Sequence, residues 1–118
     1  MSIYFIAIIH SVHNAEMQAE YGRLAIPHLA TTEAEQLAAA LAKTGEAGRI
    51  YELNPSLVDY GIQPLEMLEG DVAEGMSLIK FPNRKAFEDW YYSDEYKEAL
   101  AVRLQGSNVQ AFVVEGTD

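Results

Sequence analysis

Hydrophobic residues fill every position from Ile3 to Ile9, so both alternating sets of this segment are apolar. A β-strand has this pattern when both of its faces are covered. One layer of helices covers only one face of a sheet. The segment therefore predicts a first strand that needs a second cover, which the sheet of a second copy supplies most simply. We expect a homodimer in which two sheets pack face to face.

The pattern after the first strand predicts two helices. Asn14 can cap a helix that begins at Ala15 and that Pro27 ends or kinks. Thr32 and Glu35 have the spacing of a capping box ahead of an alanine-rich segment, and two glycines close that segment. A second, shorter helix is therefore expected there.

Strand-like alternation returns further along the chain. Residues 49–53 alternate as a half-buried strand. Residues 65–69 and 76–81 flank a Gly70-Asp71 turn signal and favour an antiparallel hairpin. After a turn at residues 106–108, a last strand is expected from Val109 to Glu115.

Two helices are predicted between the hairpin and the last strand. Asn83 can cap the first, whose aromatic side chains share one face, and this helix contains the only tryptophan. Ser93 can cap the second, in which Tyr96 and Arg103 recur along one stripe. The aromatic face must be buried against another layer.

The resulting order is strand, helix, extra helix, strand pair, helix pair and strand. This βαββαβ plan predicts an α+β, ferredoxin-like fold with an antiparallel sheet, with an extra helix and a longer loop inserted at residues 31–64. No linker or repeat interrupts the chain, so we expect a single domain over residues 1–118. A parallel nucleotide-binding sheet is the competing fold, but no glycine-rich phosphate loop follows the first strand.

Composition narrows the expected partners. The 118 residues include 8 basic and 18 acidic side chains, for a formal charge of -10, which repels nucleic acid and anionic membrane surfaces. The absence of cysteine excludes disulfides, thiolate catalysis and cysteine-ligated metals. The first strand lacks a basic leader and is too short to span a bilayer, so we expect a cytoplasmic protein.

A set of short motifs between residues 68 and 116 resembles a known family. The motifs are Leu68-Glu69-Gly70, Phe81-Pro82, Ala86, Trp90-Tyr91, Ser93, Glu95-Tyr96, Arg103 and Val114-Glu115-Gly116. Together they resemble the domain of unknown function 1330 family of the dimeric α/β-barrel superfamily. The resemblance implies a ferredoxin-like fold and dimerisation, and it implies no established activity.

Three histidines are candidates for chemistry. His10 follows the first strand, and with an ordinary pKa of about 6.5 it suits a general base. His10 and His13 could share a metal ion, but a polar strand exit explains the pair as well, and we expect no metal site. His28 either faces the same cleft or simply suits the negative end of its helix.

Aromatic side chains and one arginine complete the candidates. Four aromatic residues are either core and dimer contacts or place a hydroxyl in a pocket: Tyr21, Trp90, Tyr91 and Tyr96. Arg103 continues the stripe of Tyr96, so its stem should be buried. Its guanidinium must then meet an internal acid such as Glu69 or Glu88, or the carboxylate of a ligand.

Three functions stay open at this level. The first is an enzyme without metal or cofactor, of the monooxygenase or isomerase kind found in the superfamily, in which Arg103 anchors a small organic acid and His10 or Tyr91 moves a proton. The second is a non-catalytic dimeric module for binding or structure. The third is haem binding, which requires an axial histidine in an open cavity.

Overall fold

The computed structural model describes all residues from 1 to 118 as a four-stranded antiparallel sheet with helices on one face. The strands are β1 (Ile3–Val12), β2 (Glu35–Leu41), β3 (Gly75–Phe81) and β4 (Ser107–Glu115). The helices are α1 (Ala15–Leu29), α2 (Gly45–Leu53), α3 (Arg84–Tyr91) and α4 (Asp94–Gly106), with a 3₁₀ turn at Pro55–Val58. The strand order β2-β3-β1-β4 is the ferredoxin-like one, so the predicted fold class is confirmed.

Local capping signals set where three helices begin. The side chains of Asn14, Asn83 and Ser93 each accept a hydrogen bond from the backbone N–H three residues later, at 3.1, 2.9 and 3.1 Å. These bonds satisfy N–H groups that the first turn of a helix leaves without a partner. The three predicted caps are confirmed.

The predicted second helix is wrong, because the alanine-rich segment is strand β2. The hydroxyl of Thr32 donates to the carbonyl of Leu29 at 2.6 Å, so it closes α1 instead of capping a new helix. β2 then pairs with β3 along its length. Alanine is the best helix former, but the preference of each residue is small in energy, and pairing with a sheet outweighs it.

The predicted strand at residues 49–53 is also wrong, because these residues end helix α2. Its buried side chains are Ala47 and Ile50, which are three residues apart and therefore share a helix face. An extra helix is present, but it follows β2 instead of preceding the second strand. In a segment this short, alternation and helical spacing are hard to tell apart.

The predicted hairpin is not formed, because residues 65–69 belong to no strand. β3 pairs with β1 and β2, and Gln63 from the loop joins the sheet through hydrogen bonds with Ala39 and Leu41 at 3.0 and 2.9 Å. Gly70 lies in a loop as its turn signal predicted, but the strand pairing predicted across that turn is wrong. Which strands pair over a long sequence separation, and in which register, is decided by tertiary contacts.

Two predicted boundaries also change. Pro27 lies inside α1, which continues to Leu29, so it marks the last turn and does not end the helix. The expected turn at residues 106–108 is absent, since α4 ends at Gly106 and β4 begins at the next residue. A Cβ on Gly106 would lie 2.9 Å from the Cβ of Met17. The glycine therefore allows α1 and α4 to cross closely.

The two faces of the sheet have different surroundings. Ile3, Phe5 and Ala7 of β1 are buried under the helices. The opposite face is also apolar, but its side chains are half-buried or exposed in the single chain: Tyr4, Ile6, Ile8, Met76, Leu78, Phe112 and Val114. We call these seven residues the open face. The helices thus cover one side of β1, and the second cover stays a prediction.

Candidate functional site

A cavity of about 130 Å³ lies between α1 and the helix-covered face of the sheet. Of its 23 lining residues, 17 are hydrophobic. Small residues line both walls, with Ala7 and Ala39 on the sheet and Ala19, Gly22 and Ala25 on α1. An apolar cavity of about 150 Å³ is large enough for benzene, so this one suits a ligand about one ring in size.

Helices α1 and α4 bring two tyrosines and one arginine to one end of this cavity. Ser93 fixes the start of α4, and Tyr96 and Arg103 then lie seven residues apart on one face of that helix. Tyr21 extends toward them from α1, which crosses α4 at Gly106. Tyr21 and Arg103 line the cavity, and Tyr96 lies directly behind them.

Arg103 is a buried cation without an acid. The residue is 6% exposed, and its Nη1 donates to the hydroxyl of Tyr96 at 3.1 Å. Its Cζ lies 5.5 Å from the ring centroid of Tyr21, a cation–π distance. The expected partner among Glu69 and Glu88 is wrong, since no carboxylate pairs with this guanidinium. A buried charge with no counter-charge is costly in a folded protein.

Two buried N–H groups at the same end of the cavity have no hydrogen-bond partner. They are Trp90 Nε1 and Arg103 Nε, and both residues line the cavity. Folded proteins leave few buried donors unpaired, because each one loses its bond to water. Both donors belong to side chains that line the cavity, although the nitrogen atoms themselves are covered by protein.

Tyr96 is a permanent donor in this cluster. Its side chain is fully buried, and its hydroxyl lies 3.0 Å from the hydroxyl of Tyr21. Burial, more than any neighbour, raises the pKa of the Tyr96 hydroxyl far above its ordinary value of 10.0, and the nearby Tyr21 raises it further. Tyr96 therefore stays neutral and keeps its proton at all ordinary pH values.

His10 lies away from this cluster. Its Nε2 is 3.3 Å from Oε1 of Gln110, which sits opposite Ile8 in the register of β1 and β4. Ile8 belongs to the open face, whereas Arg103 lies under the helices. The structure therefore does not bring His10 and Arg103 to the same ligand. His13 is exposed, and no three His, Asp or Glu side chains form a group that could hold a metal ion.

His28 and Ser93 form a pair at a separate polar cleft. Nε2 of His28 lies 3.1 Å from Oγ of Ser93, and that hydroxyl donates its single proton to the carbonyl of Trp90 at 2.7 Å. His28 must then be the donor to Ser93. The pair holds the end of α1 against the start of α4, and the serine is not activated as a nucleophile.

The aromatic candidates divide between cavity and core. Trp90 and Tyr21 line the cavity, whereas Tyr91 does not. Tyr91 stacks on Phe87 with ring centroids 5.4 Å apart and contacts Phe5 at 5.9 Å. The hydroxyl of Tyr91 therefore has no cavity beside it in which it could transfer a proton to or from a ligand.

The alanine walls of the cavity were not predicted as part of a site. A signal for them is present in the sequence, because Ala15, Ala19, Gly22 and Ala25 recur at helical spacing along α1. Gln18 was also missed. It is 8% exposed, lines the cavity, and accepts a hydrogen bond from Ser107 at 2.9 Å.

None of the helices is long and apolar enough to cross a membrane.

Solved structures with the same fold cover nearly the whole chain. A methylated protein called RPA0582 superposes with a TM-score of 0.65 at 14% identity, over 99% of this chain and 82% of its own. A second structure of RPA0582, described as a protein of unknown function from Rhodopseudomonas palustris, superposes with a TM-score of 0.63 at 12% identity, over 99% and 83% of the two chains.

Another neighbour has a named activity. SnoaB from Streptomyces nogalater, described as a cofactor-independent oxygenase, superposes with a TM-score of 0.59 at 11% identity, over 99% of this chain and 94% of its own. A protein described as an ethyl tert-butyl ether d (ethd) family protein from Bacillus halodurans superposes with a TM-score of 0.57 at 9% identity, over 99% of this chain and 100% of its own. At these identities the likeness shows the fold alone.

Sequence comparison identifies one family. No curated protein matches the chain. The sequence model of the family described as Domain of unknown function (DUF1330) matches residues 61–117, from the loop before β3 to the end of β4. This match confirms the resemblance seen in the motifs: residues 61–117 of this ferredoxin-like chain are similar to DUF1330.

Proposed function

We propose that this chain is a single-domain, homodimeric protein whose cavity binds a small, mostly apolar organic acid, with the anionic oxygen of the acid on Arg103. The observation that carries this proposal is the buried guanidinium without a carboxylate partner. An anion in the cavity would supply the missing counter-charge, and charge-assisted hydrogen bonds of this kind are among the strongest in proteins.

The apolar walls define the rest of the ligand. A ring or a short branched chain fits the space of about 130 Å³ between the alanine-lined walls. The formal charge of -10 gives the protein no general attraction for anions. Selection of an acid therefore depends on the local charge of Arg103.

We further propose an enzymatic role without a cofactor, of the kind named for SnoaB. The guanidinium of Arg103 is a buried donor in the cavity wall, held in place by its hydrogen bond to Tyr96. Such groups stabilise negative charge that develops on a substrate oxygen, as in an enolate. The reaction would be oxygenase-like, with O₂ as the second substrate, or isomerase-like.

A binding role without catalysis is the second candidate, and one observation favours it. No His, Asp, Glu or Lys lines the cavity, so the wall offers no ordinary general base. His10 would have to act from the other side of the sheet, in the proposed dimer interface. Haem binding loses support for a related reason, since none of the three histidines lines the cavity.

The homodimer is supported by surfaces that the single chain leaves exposed. The open face is apolar, with Phe112 and Val114 42% and 50% exposed. The loop before β3 adds Leu68 and Val72, which are 85% and 71% exposed. Patches of this kind usually mark protein interfaces. Light scattering at micromolar concentration should give twice the chain mass, and a monomer mass would remove this part of the proposal.

Arg103→Met tests the site itself. Methionine keeps the length of the side chain and removes a buried charge, so we expect the variant to be at least as stable as the parent. In thermal-shift measurements, benzoate at a hundredfold excess over its dissociation constant should raise the stability of the parent by about 2.7 kcal/mol. The neutral analogue benzamide should have little effect. The Arg103→Met variant should lose the response to benzoate.

Arg23→Met is the matched control, because Arg23 lies on the surface of α1 in an ion pair with Glu20 at 3.1 Å. It should respond to benzoate as the parent does. An equal response of the Arg103→Met variant, or no response of the parent to any ring-sized carboxylate, would refute the proposed anion site. Consumption of O₂ or conversion of a bound acid, followed by an oxygen electrode and mass spectrometry, separates the enzyme from the binding module.

A further inference from the structure

We infer that Tyr21 donates a hydrogen bond directly to the ligand, so that the cavity selects ligands with a bare acceptor oxygen beside this hydroxyl. The inference rests on the proposed function, because it assigns a role within the same cavity. It follows from the direction of the hydrogen bonds that link Arg103, Tyr96 and Tyr21.

The first link of this chain has only one direction. A guanidinium has donors and no acceptor, so Nη1 of Arg103 donates to the hydroxyl oxygen of Tyr96. The proton of Tyr96 must then point away from the guanidinium.

The second link follows from burial. Tyr96 is fully buried, and the hydroxyl oxygen of Tyr21, 3.0 Å away, is the only other atom to which its hydroxyl is hydrogen-bonded. If Tyr21 donated to Tyr96 instead, the proton of Tyr96 would be buried without an acceptor, which is unfavourable. Tyr96 therefore donates to Tyr21.

The last proton in the chain is that of Tyr21. Its oxygen already accepts from Tyr96, and Tyr21 makes no other hydrogen bond within the protein. Because Tyr21 lines the cavity, this proton is available to the cavity contents. Hydrogen bonds are thus donated in order from Arg103 to Tyr96 and from Tyr96 to Tyr21. Hydrogen bonds in such a series polarise and strengthen one another.

The polar end of the cavity therefore presents donors: the hydroxyl of Tyr21 and the guanidinium of Arg103. A carboxylate, ketone or enolate oxygen satisfies these groups. A ligand with an apolar atom in that place would leave them unpaired, and such mismatches give strong discrimination. Tyr21 is thus a specificity-determining residue, and a catalytic one if the ligand reacts through this oxygen.

The test compares two neutral ligands of the same shape, acetophenone and α-methylstyrene, which differ by a carbonyl oxygen in place of a methylene group. Isothermal titration of the parent should favour acetophenone by about tenfold, the usual effect of one hydrogen bond. In the Tyr21→Phe variant this preference should fall to about twofold or less. Tyr92→Phe is the control, since Tyr92 is 61% exposed and does not line the cavity, and it should keep the parent preference.

The Tyr96→Phe variant distinguishes the terminal donor from the relay. It removes the polarising link but leaves the proton of Tyr21 in place, so acetophenone should keep more than half of its preference on a logarithmic scale. A larger loss in the Tyr96→Phe variant than in the Tyr21→Phe variant would overturn the assignment, as would an unchanged preference in the Tyr21→Phe variant. Melting temperatures of both variants show whether the fold is intact.

Benzoate separates this inference from the proposed function. If Arg103→Met abolishes benzoate binding while Tyr21→Phe leaves the acetophenone preference unchanged, the anion site stands and the role of Tyr21 is wrong. If the parent prefers acetophenone but ignores benzoate, the donor role of Tyr21 stands and the organic-acid proposal fails. If the parent binds neither ligand, both are wrong.

Discussion

Aromatic side chains fill the space between the sheet and the helices under α3 and α4, whereas alanine and glycine line the same layer under α1. In the filled region, the ring centroids of Trp90 and Tyr96 are 4.3 Å apart, and those of Phe81 and Phe87 are 5.5 Å apart. In the hollow region, the facing residues include Ala7, Ala25 and Ala39, and a cavity of about 130 Å³ remains.

The comparison shows that side-chain volume alone separates a core from a candidate site in this fold. Both regions use the same face of one sheet, but only the second leaves a cavity. Trp90 and Arg103 stand at the boundary, and each has a buried N–H without a partner.

The largest effect is expected in the filled region, from Phe81→Ala. Phe81 is fully buried among aromatic rings, so its truncation removes apolar contacts and leaves a cavity. We expect the free energy of unfolding to fall by about 3–5 kcal/mol in urea denaturation. Leu104→Ala on the exposed side of α4, where Leu104 is 66% exposed, should cost less than about 0.5 kcal/mol. A loss below 1 kcal/mol for Phe81→Ala would mean that the filled region does not stabilise the fold as described.

A smaller effect on stability, with a large effect on binding, is expected from Ala25→Leu in the hollow region. The added carbons enter the cavity and bury apolar surface, so stability should stay level or rise by up to about 2 kcal/mol, while benzoate no longer raises the melting temperature. Ala47→Leu is the matched control, because Ala47 is fully buried in α2 and does not line the cavity. Overpacking there should cost about 1–3 kcal/mol. Equal losses for both variants would show that the space under α1 is not hollow.

The smallest effect is a loosening of the hollow region in acid. Glu46 accepts a hydrogen bond from the N–H of Ala15 at 2.8 Å and pairs with Arg49 at 3.0 Å. These contacts, the first above all, hold the pKa of Glu46 below its ordinary value of 4.5. The folded pKa is the lower one, so the stabilisation is present above about pH 4.5 and is lost as the pH falls through the folded pKa.

Hydrogen exchange can locate this loss. Protection factors at the start of α1 should fall below pH 4.5, whereas those at the start of α3 should not, because Asn83 caps α3 with an uncharged group and its first turn contains no acid. Glu46→Gln should reduce the pH dependence at α1 and leave the part that comes from Glu16, whose carboxylate pairs with Arg49 at 2.8 Å. Parallel losses at the starts of α1 and α3 would contradict the link to Glu46.

The sequence also predicted much of the candidate site as a set of residues but not as an arrangement. Arg103, Tyr96, Tyr21 and Trp90 were all candidates from helical spacing and residue type. Their meeting was not predictable, since Tyr21 lies 75 residues before Tyr96 and reaches it only because α1 crosses α4. His10 was predicted to act on the same ligand as Arg103, but it lies on the other face of the sheet. The alternation of side chains along a strand shows that its two faces differ, but not which face the helices cover.

What the sequence determined by itself is local: the capped starts of α1, α3 and α4, the strands β1, β3 and β4, and the aromatic face of α3. These features depend on neighbours within one or two turns, so short patterns are sufficient to specify them. Only the tertiary structure decided that the alanine-rich segment is a strand, that residues 49–53 are helical, and that a cavity remains beside Arg103. Each of these outcomes depends on contacts between distant segments, and such contacts outweigh the small energies of local preference.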